Sequence, residues 1–243
     1  MPNSMPRPFH FIPLILSLCC LAAIGRADEP ARQVRKILFL GNSITRHGPK
    51  PSIGWTTDWG MAASAQDKDF VHLVTGSISE TTGTTPQVMI KTISGFERQY
   101  ATYDLEGNLK EAIEFGADLV IVAIGENVPK LVSGKAKAQF ADSFRKLLRR
   151  LSTDSSTTLV VRSCFWGNQT KDEILRRACL KAGGIFVDIG KLAKDEANFA
   201  RSERKFTHKG VAAHPGDKGM QAIAHAILSA VEKERPKAKV STQ

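Results

Sequence analysis

The sequence has few cysteines, few aromatic residues and no grouping of metal ligands. Four cysteines and 7% aromatic residues are present among 243 residues, and no cysteine pair has the spacing of a structural zinc site. The six histidines are scattered, the carboxylates do not cluster, and nothing resembles a phosphate-binding glycine loop. We therefore expect neither a metal nor another cofactor.

The sequence also lacks a hydrophobic run long enough to span a bilayer comfortably. Its longest apolar run covers residues 11–24, follows Arg7, and precedes small residues that end at Ala27. This order is typical of a secretory signal peptide that is cleaved after Ala27. We expect residues 1–27 to be a signal peptide, the protein to be secreted or periplasmic, and no stable membrane insertion after its removal.

Negative charge is the scarcer sign. The formal charge is +10, and loss of the signal peptide removes Arg7 and Arg26 and no acidic residue, which leaves +8. Such a balance can favour anionic polymers or surfaces. The densest basic run, "FRKLLRRL" at 144–151, has apolar residues at helical spacing and no interleaved aromatic residues. It is typical of a solvated helix face, so we expect no nucleic-acid partner.

Only Cys164 and Cys179 remain after removal of the signal peptide. Export would allow a disulfide between them, and two buried thiols are the alternative. The sequence favours neither alternative, because a disulfide depends on the distance between the two cysteines in the folded protein.

Short apolar runs alternate with segments of helical periodicity through the rest of the chain. The predicted strands are Lys36–Leu40, Val88–Ile93, Leu119–Ile124, Thr158–Ser163 and Ile185–Val187. The predicted helices are Trp59–Val74, Leu105–Phe115, Ala138–Leu151, Asp172–Ala182 and Asp217–Val231. This alternation predicts one α/β domain over residues 28–235, with a five-stranded, mostly parallel sheet buried on both faces, and a flexible tail at 236–243.

In such sheets, functional residues collect beyond the carboxyl ends of the strands. Those ends carry Gly41-Asn42-Ser43, Ser94-Gly95 and Gly125-Glu126-Asn127. The three segments are expected to converge on one cleft.

These segments resemble the blocks that define the SGNH, or GDSL, hydrolases. "GNSIT" resembles the serine block, with Asn42 where the commoner form has Asp, and Gly95 in "TISGFE" matches the glycine block. Asn127 in "GEN" and His214 in "AAHPGDKGM" match the asparagine and histidine blocks. The resemblance spans nearly all of the mature chain and implies a three-layer α/β/α sandwich of the SGNH/flavodoxin-like type.

The resemblance implies a serine esterase without a cofactor. Ser43 would be the nucleophile and His214 its base. The backbone N–H groups of Ser43 and Gly95 and the side-chain amide of Asn127 would form the oxyanion hole, because an attacked ester carbonyl develops negative charge on its oxygen.

The sequence departs from the family pattern at Val211, where the usual Asp would orient the histidine. Three substitutes are open: a backbone carbonyl near Val211, the carboxylate of Glu126, or that of Asp188. We favour the first two. His208 is a weaker histidine candidate, expected on the rim of the cleft.

The substrate is less defined. Trp55 and Trp59 follow the serine block and Trp166 follows the fourth strand, and aromatic faces near a cleft suit sugar rings as well as acyl chains. No long apolar lid for a lipid tail is present. We expect a small-molecule or polysaccharide ester as the partner, with removal of small acyl groups such as acetyl from carbohydrate. The alternatives are a lysophospholipase or thioesterase, and a carbohydrate-binding protein that lost turnover with the acid.

Overall fold

The fold is described from a computed structural model, which covers residues 34–152 and 156–234. The predicted signal peptide at 1–27 and the tail at 236–243 lie outside the described residues. None of the helices within the described residues is long and apolar enough to cross a membrane.

Five parallel strands form the central sheet in the order β2-β1-β3-β4-β5. Their bounds are β1 Lys36–Gly41, β2 Gln87–Thr92, β3 Leu119–Ala123, β4 Thr158–Arg162 and β5 Ile185–Val187. All five lie where the sequence predicts them, within one or two residues. The order reverses between β1 and β3, and this is the place where open parallel sheets form a binding crevice.

Seven helices connect and cover the strands within the described residues. They are α1 Phe70–Thr82, α2 Ser94–Gln99, α3 Leu105–Glu114, α4 Gly134–Leu151, α5 Gln169–Lys181, α6 Lys209–Ala212 and α7 Asp217–Glu234. Successive side chains of a strand point to opposite faces. Ile37 and Phe39 therefore pack with α1 and α7, whereas Leu38 and Leu40 pack with α2 to α5. The predicted three-layer α/β/α sandwich is confirmed.

The predicted helix at Trp59–Val74 is wrong before Phe70. Residues 59–69 form turns and one short 3-10 helix, Gln66–Lys68, and α1 begins only at Phe70 because the carboxylate of Asp69 caps it by accepting the His72 N–H. The apolar residues before Asp69 instead pack beneath the loop that follows β1 and carries Ser43, here called the serine loop. Trp55 and Met61 pack there with Val211.

One strand is less buried than the sequence predicts, and the alternative left open for the two cysteines is decided in favour of buried thiols. Strand β2 is at the sheet edge and is only partly covered, because β1 is its single neighbour. Cys164 and Cys179 are both free, buried thiols. Burial raises the pKa of both, that of Cys179 to about 12, so neither thiol is reactive near neutral pH.

Candidate active site

Strand register brings the serine, glycine and asparagine blocks together. Gly41 at the end of β1 pairs with Thr92 of β2 on one side and with Ala123 of β3 on the other. The residues that follow these three strand ends therefore leave the sheet side by side, as the sequence predicts. Ser43 comes from the central one of the three ends.

Ser43 and His214 meet although 171 positions separate them in the sequence. Ser43 Oγ lies 2.8 Å from His214 Nε2, and His214 Nδ1 lies 2.7 Å from the carbonyl oxygen of Gly210. A carbonyl can only accept a hydrogen bond, so Nδ1 carries the proton and Nε2 is left as an acceptor for the Ser43 hydroxyl. This arrangement can transfer the Ser43 proton to His214.

The structure thus places a backbone carbonyl, rather than a carboxylate, at His214 Nδ1. The Val211 side chain is buried in an apolar cluster, and Gly210 in the same short helix supplies the acceptor. Glu126 instead binds Arg162, and Asp188 accepts from Ser163 and from a neighbouring backbone N–H. Burial lowers the pKa of His214, while the Gly210 carbonyl and the Glu126 charge act in the opposite direction.

Helix α6 is held in place by His208. Its Nδ1 accepts hydrogen bonds from the N–H groups of Gly210 and Val211, which makes His208 the cap of the helix whose carbonyl orients His214. The exposed His208 ring also lines the cleft. The rim position expected from the sequence is observed, and its capping role was not foreseen.

Helix α2 contains Gly95, one of the predicted oxyanion donors. Gly95 is the second residue of α2, so its N–H lies in the first turn and has no acceptor within the helix. Residue 95 is exposed, and a Cβ there would lie 3.3 Å from the Tyr103 ring. A side chain at residue 95 would therefore press on Tyr103, and glycine avoids this close contact.

The Asn127 amide is fixed at both of its ends by consecutive residues of α2. Asn127 Nδ2 donates to Glu97 Oε2 at 2.7 Å, and Asn127 Oδ1 accepts from Arg98 at 3.2 Å. The two contacts establish which end of the amide is nitrogen, because a carboxylate only accepts and a guanidinium only donates. One N–H of Asn127 Nδ2 remains, and Asn127 lines the cleft.

Glu97 is a fully buried carboxylate that joins the blocks. It accepts hydrogen bonds from the backbone N–H groups of Gly125 and Asn127 and from the side chains of Asn42 and Asn127. Burial and the nearby charge of Glu126 raise its pKa, while these donors oppose that change.

Asn42 lies between two carboxylates, and this explains why it replaces the commoner Asp. Its Nδ2 donates to Glu97 at 3.1 Å and to Glu126 at 2.6 Å, and its Oδ1 accepts from the Ile44 N–H. An aspartate here would bring a third negative charge against the other two and would offer no donor. The asparagine provides both donors and fixes the turn that carries Ser43.

The Glu126 carboxylate is paired with the buried Arg162. The Arg162 guanidinium donates to Glu126 Oε1 at 2.6 Å, and the Phe165 N–H donates to the same oxygen at 2.9 Å. Burial alone would raise the pKa of Glu126, but these contacts hold it below its ordinary value. Lys171, also buried, donates to the carbonyl oxygens of Gly125 and Val128. Arg162 thus offsets the charge of Glu126, whereas Lys171 satisfies backbone carbonyls of the same loop.

The cleft above Ser43 has a volume of about 600 Å³ and a mixed lining of charged, polar and apolar residues. Arg46 and Asp58 form an ion pair on one wall, with a distance of 2.8 Å from Arg46 Nε to Asp58 Oδ1. Arg98 and His208 line the cleft as well, and Ile53, Met61 and Ile90 contribute apolar surface. No group of three His, Cys, Asp or Glu residues that could hold a metal occurs in the described part of the chain.

No family model matches the sequence, and no curated protein sequence does either. Solved structures do match the fold. A two-domain esterase active on acetylated mannans, crystallised with mannopentaose, has a TM-score of 0.55 at 17% identity over 86% of this chain and 52% of its own. A protein from Parabacteroides merdae assigned as a GDSL-like lipase has a TM-score of 0.55 at 19% identity, over 83% of this chain and 97% of its own.

This chain has the SGNH hydrolase fold. A family two carbohydrate esterase from Clostridium thermocellum, in complex with cellohexaose, shares it with a TM-score of 0.54 at 13% identity over 86% of this chain and 66% of its own. The chain spans about half the length of the mannan esterase. The resemblance derived from the four sequence blocks is therefore confirmed at the level of the fold.

The tryptophans of this SGNH fold do not all face the cleft. Trp55 is buried, donates to the His47 carbonyl, and packs edge-on against Trp59, so both belong to the support of the serine loop. Trp166 contacts the site directly, since its ring packs edge-to-face on His214 with centroids 5.4 Å apart. Of the three tryptophans that the sequence suggests for the cleft, Trp166 alone contacts a residue of the reactive pair in the described part of the chain.

The sequence does not identify Glu97, Arg98 or Arg162, whereas the Gly210 carbonyl is the backbone acceptor near Val211 that it favours as one of two partners for His214. Two signals were present. The glycine block continues directly into Glu97 and Arg98. The apolar run of β4 ends in Arg162, which places a charged residue at the carboxyl end of a buried strand, where the candidate site lies. Val211 in place of Asp indicates a backbone acceptor nearby, but which carbonyl it is has no sequence signal, because a backbone carbonyl exists at every position.

Proposed function

We propose that this protein is a secreted serine esterase that removes small acyl groups, acetyl above all, from carbohydrate esters. The observation that carries the proposal is the Ser43–His214 hydrogen bond at the catalytic edge of an SGNH fold. The fold neighbours that act on or bind sugars support the carbohydrate side. Export, predicted from residues 1–27, would bring the enzyme to extracellular polysaccharide.

The reaction begins when Ser43 Oγ attacks the acyl carbon and His214 Nε2 takes the hydroxyl proton. Negative charge then develops on the former carbonyl oxygen. The N–H groups of Ser43, Gly95 and Asn127 Nδ2 stabilise that oxygen. His214 returns the proton to the departing alcohol, and an acyl group remains on Ser43.

Hydrolysis of this acyl-enzyme uses the same groups in reverse. His214 Nε2 accepts a proton from water, the resulting hydroxide attacks the acyl carbon, and Ser43 leaves with the proton. The Gly210 carbonyl keeps Nδ1 protonated and the ring in place through both steps. Glu126 adds a negative charge that favours the imidazolium without a hydrogen bond to it.

Serine-directed labelling tests the proposal. A fluorophosphonate should add one adduct, and peptide mapping should place it on Ser43. Ser43→Ala should remove both the label and the hydrolysis of p-nitrophenyl acetate, while Ser64→Ala, a serine outside the cleft, should keep both. A label elsewhere, or a folded wild type that binds glycans without turnover, would reject the esterase and favour the binding protein.

A chain-length series separates the acetylesterase from a lysophospholipase or thioesterase. Arg46, Asp58 and Arg98 in the cleft lining would be desolvated by a long acyl chain, so we expect activity on p-nitrophenyl esters to fall steeply beyond propionate. Equal or higher activity on octanoate would instead favour the long-chain enzymes.

A further inference from the structure

Helix α6 carries the carbonyl group that orients the His214 ring, yet this helix has only four residues. A single helical turn fixes several backbone dihedral angles in return for very few hydrogen bonds, so it is not stable by itself. Its geometry has to be set by contacts at its two ends and on its buried side. The direction of the Gly210 carbonyl therefore depends on those contacts.

The end of α6 that leads into His214 is held by the backbone and by one buried side chain. The His214 N–H donates to the Val211 carbonyl at 3.0 Å, and the His214 carbonyl accepts from the Ala200 N–H at 2.9 Å. The Val211 side chain is buried in the apolar cluster that contains Trp55. These contacts fix the main chain of His214, and the Gly210 carbonyl acts on its ring.

The other end of α6 is held by the His208 side chain. Its Nδ1 lies 3.1 Å from the Gly210 nitrogen and 3.3 Å from the Val211 nitrogen, and both N–H groups donate to it. The Val211 N–H and the Gly210 carbonyl belong to the same peptide group, which is planar. A ring that fixes the N–H on one side of this group therefore also fixes the carbonyl that accepts from His214 on the other side.

Glycine at position 210 allows this close contact. A Cβ there would lie 2.8 Å from His208 Cε1 and 3.0 Å from His208 Nδ1. The His208 ring is exposed and free to turn outward, so a side chain at residue 210 would push it away from the backbone N–H groups. The cap thus depends on a histidine and on a glycine two residues later.

We propose that His208 is a positioning residue for ester hydrolysis: it fixes the Gly210–Val211 peptide group and, through its carbonyl, the ring of His214. This inference rests on the proposed esterase function and adds a residue to its mechanism. His208 acts through the backbone at the point where Val211 replaces the usual carboxylate. Ser43 bonds to His214, and His208 takes no proton from it.

Substitution of His208 tests the proposal with p-nitrophenyl acetate at about pH 8, where imidazole groups are largely neutral. His208→Ala and His208→Leu both remove the acceptor, and the leucine keeps most of the bulk. Each should lower kcat by about 10-fold or more with little change in KM, because the base is less well oriented. His208→Asn supplies an oxygen that caps helices well and should keep kcat within about three-fold of the wild type.

The His214 ring provides a readout that does not depend on turnover. Its Nδ1–H, which donates to the Gly210 carbonyl at 2.7 Å, should give a downfield proton resonance that exchanges slowly with water, and His214→Gln assigns it. The resonance should persist in His208→Asn and disappear in His208→Ala. Ser133→Ala removes the cap of α4 and is the matched control, so it should keep both the resonance and kcat.

Gly210→Ala approaches the same contact from the other partner. It keeps the carbonyl but displaces the His208 ring, so it should lower kcat about as much as His208→Ala does. The two losses should not add in the double variant, because each removes the same cap. Additive losses would contradict the proposal.

A wild-type kcat in both His208→Ala and His208→Leu would overturn the proposal. A rise in KM alone, a loss that His208→Asn does not restore, or a loss of kcat with the His214 resonance retained would do so as well. If the wild type shows no hydrolysis at Ser43, the esterase proposal itself fails, and the resonance still tests whether His208 fixes the His214 ring.

Discussion

At the scale of single residues, His214 is constrained by what each ring nitrogen faces. The Gly210 carbonyl fixes the proton on Nδ1, so the role that a carboxylate usually plays in orienting the ring is taken over by the backbone. The carbonyl has no full charge, and it stabilises the imidazolium less than a carboxylate would. Burial therefore dominates the His214 environment.

The pH dependence of activity should report this environment. Because burial lowers the pKa of His214 below its ordinary value of 6.5, the base stays neutral at mildly acidic pH. The kcat/KM for p-nitrophenyl acetate should rise with pH through a midpoint below 6.5 and then level off. His225→Gln, which changes an exposed histidine on α7, should leave the midpoint unchanged. A midpoint above 6.5 would contradict the assignment.

Asn127 is the other residue whose effect can be isolated. Asn127→Ala removes one donor from the oxyanion hole and should lower kcat by about 10² to 10³, with little change in KM. Circular dichroism and the thermal unfolding temperature serve as the check on folding. A folded variant with wild-type kcat would remove Asn127 from the mechanism.

At the scale of elements, the strands were predictable and the two shortest helices were not. Runs such as Leu119–Ala123 are apolar throughout because they are buried on both faces, and that signal is local. Helices α2 and α6 have six and four residues, too few for a helical repeat to show. Yet these two helices carry the supports of the site, Glu97 and Arg98 in α2 and the Gly210 carbonyl in α6.

The four family positions were predictable because each follows a strand or precedes a helix that the sequence marks. The residues that hold these four positions in place act through contacts between distant segments, such as that of Glu97 with Gly125. A single sequence contains no direct record of those contacts. The false helix over Trp59–Asp69 has the same origin, because apolar residues that fold beneath a loop resemble the apolar face of a helix.

Helix α2 should act on catalysis through Asn127. Glu97→Gln replaces an acceptor of Asn127 Nδ2 by an amide, frees the Asn127 side chain to rotate, and should lower kcat by about 10-fold or more. The decisive measurement is a double-mutant cycle. In the Asn127→Ala background, Glu97→Gln should cost less than about three-fold in kcat, since the group that it positions is absent.

Two control variants accompany this double-mutant cycle. Asp69→Asn alters another buried carboxylate that caps α1 and should show independent, additive effects with Asn127→Ala. Arg98→Met removes the exposed donor to Asn127 Oδ1 and leaves the buried hydrogen bond between Asn127 Nδ2 and Glu97 in place. Full additivity of Glu97→Gln with Asn127→Ala would assign Glu97 a structural role only.

At the scale of the whole molecule, buried polar groups tie the carboxyl ends of the strands into one layer. The chain of contacts runs from Glu97 in α2, through Asn42 after β1, to Glu126 after β3 and Arg162 at the end of β4. Groups buried in this way contribute to stability only as a set, because an unpartnered buried charge is costly. The site and the stability of the sheet edge are therefore coupled.

Glu126→Gln should show this coupling as a loss of stability rather than as a loss of the Ser43–His214 geometry. It leaves the fully buried Arg162 without its carboxylate, which should cost about 3 to 5 kcal/mol in the free energy of unfolding. Urea denaturation of the wild type and the variant measures that cost. Glu106→Gln, on the exposed surface of α3, is the matched control and should cost less than about 1 kcal/mol.

The double variant Glu126→Gln/Arg162→Met separates the two contributions. Removing the guanidinium as well deletes the uncompensated charge, so the double variant should be more stable than Glu126→Gln alone. Its kcat, corrected for the folded fraction, should remain within about ten-fold of the wild type, since the Gly210 carbonyl still orients His214. If instead Glu126→Gln unfolds like the wild type while kcat falls by orders of magnitude, Glu126 would be the acid of the site and the backbone carbonyl would not.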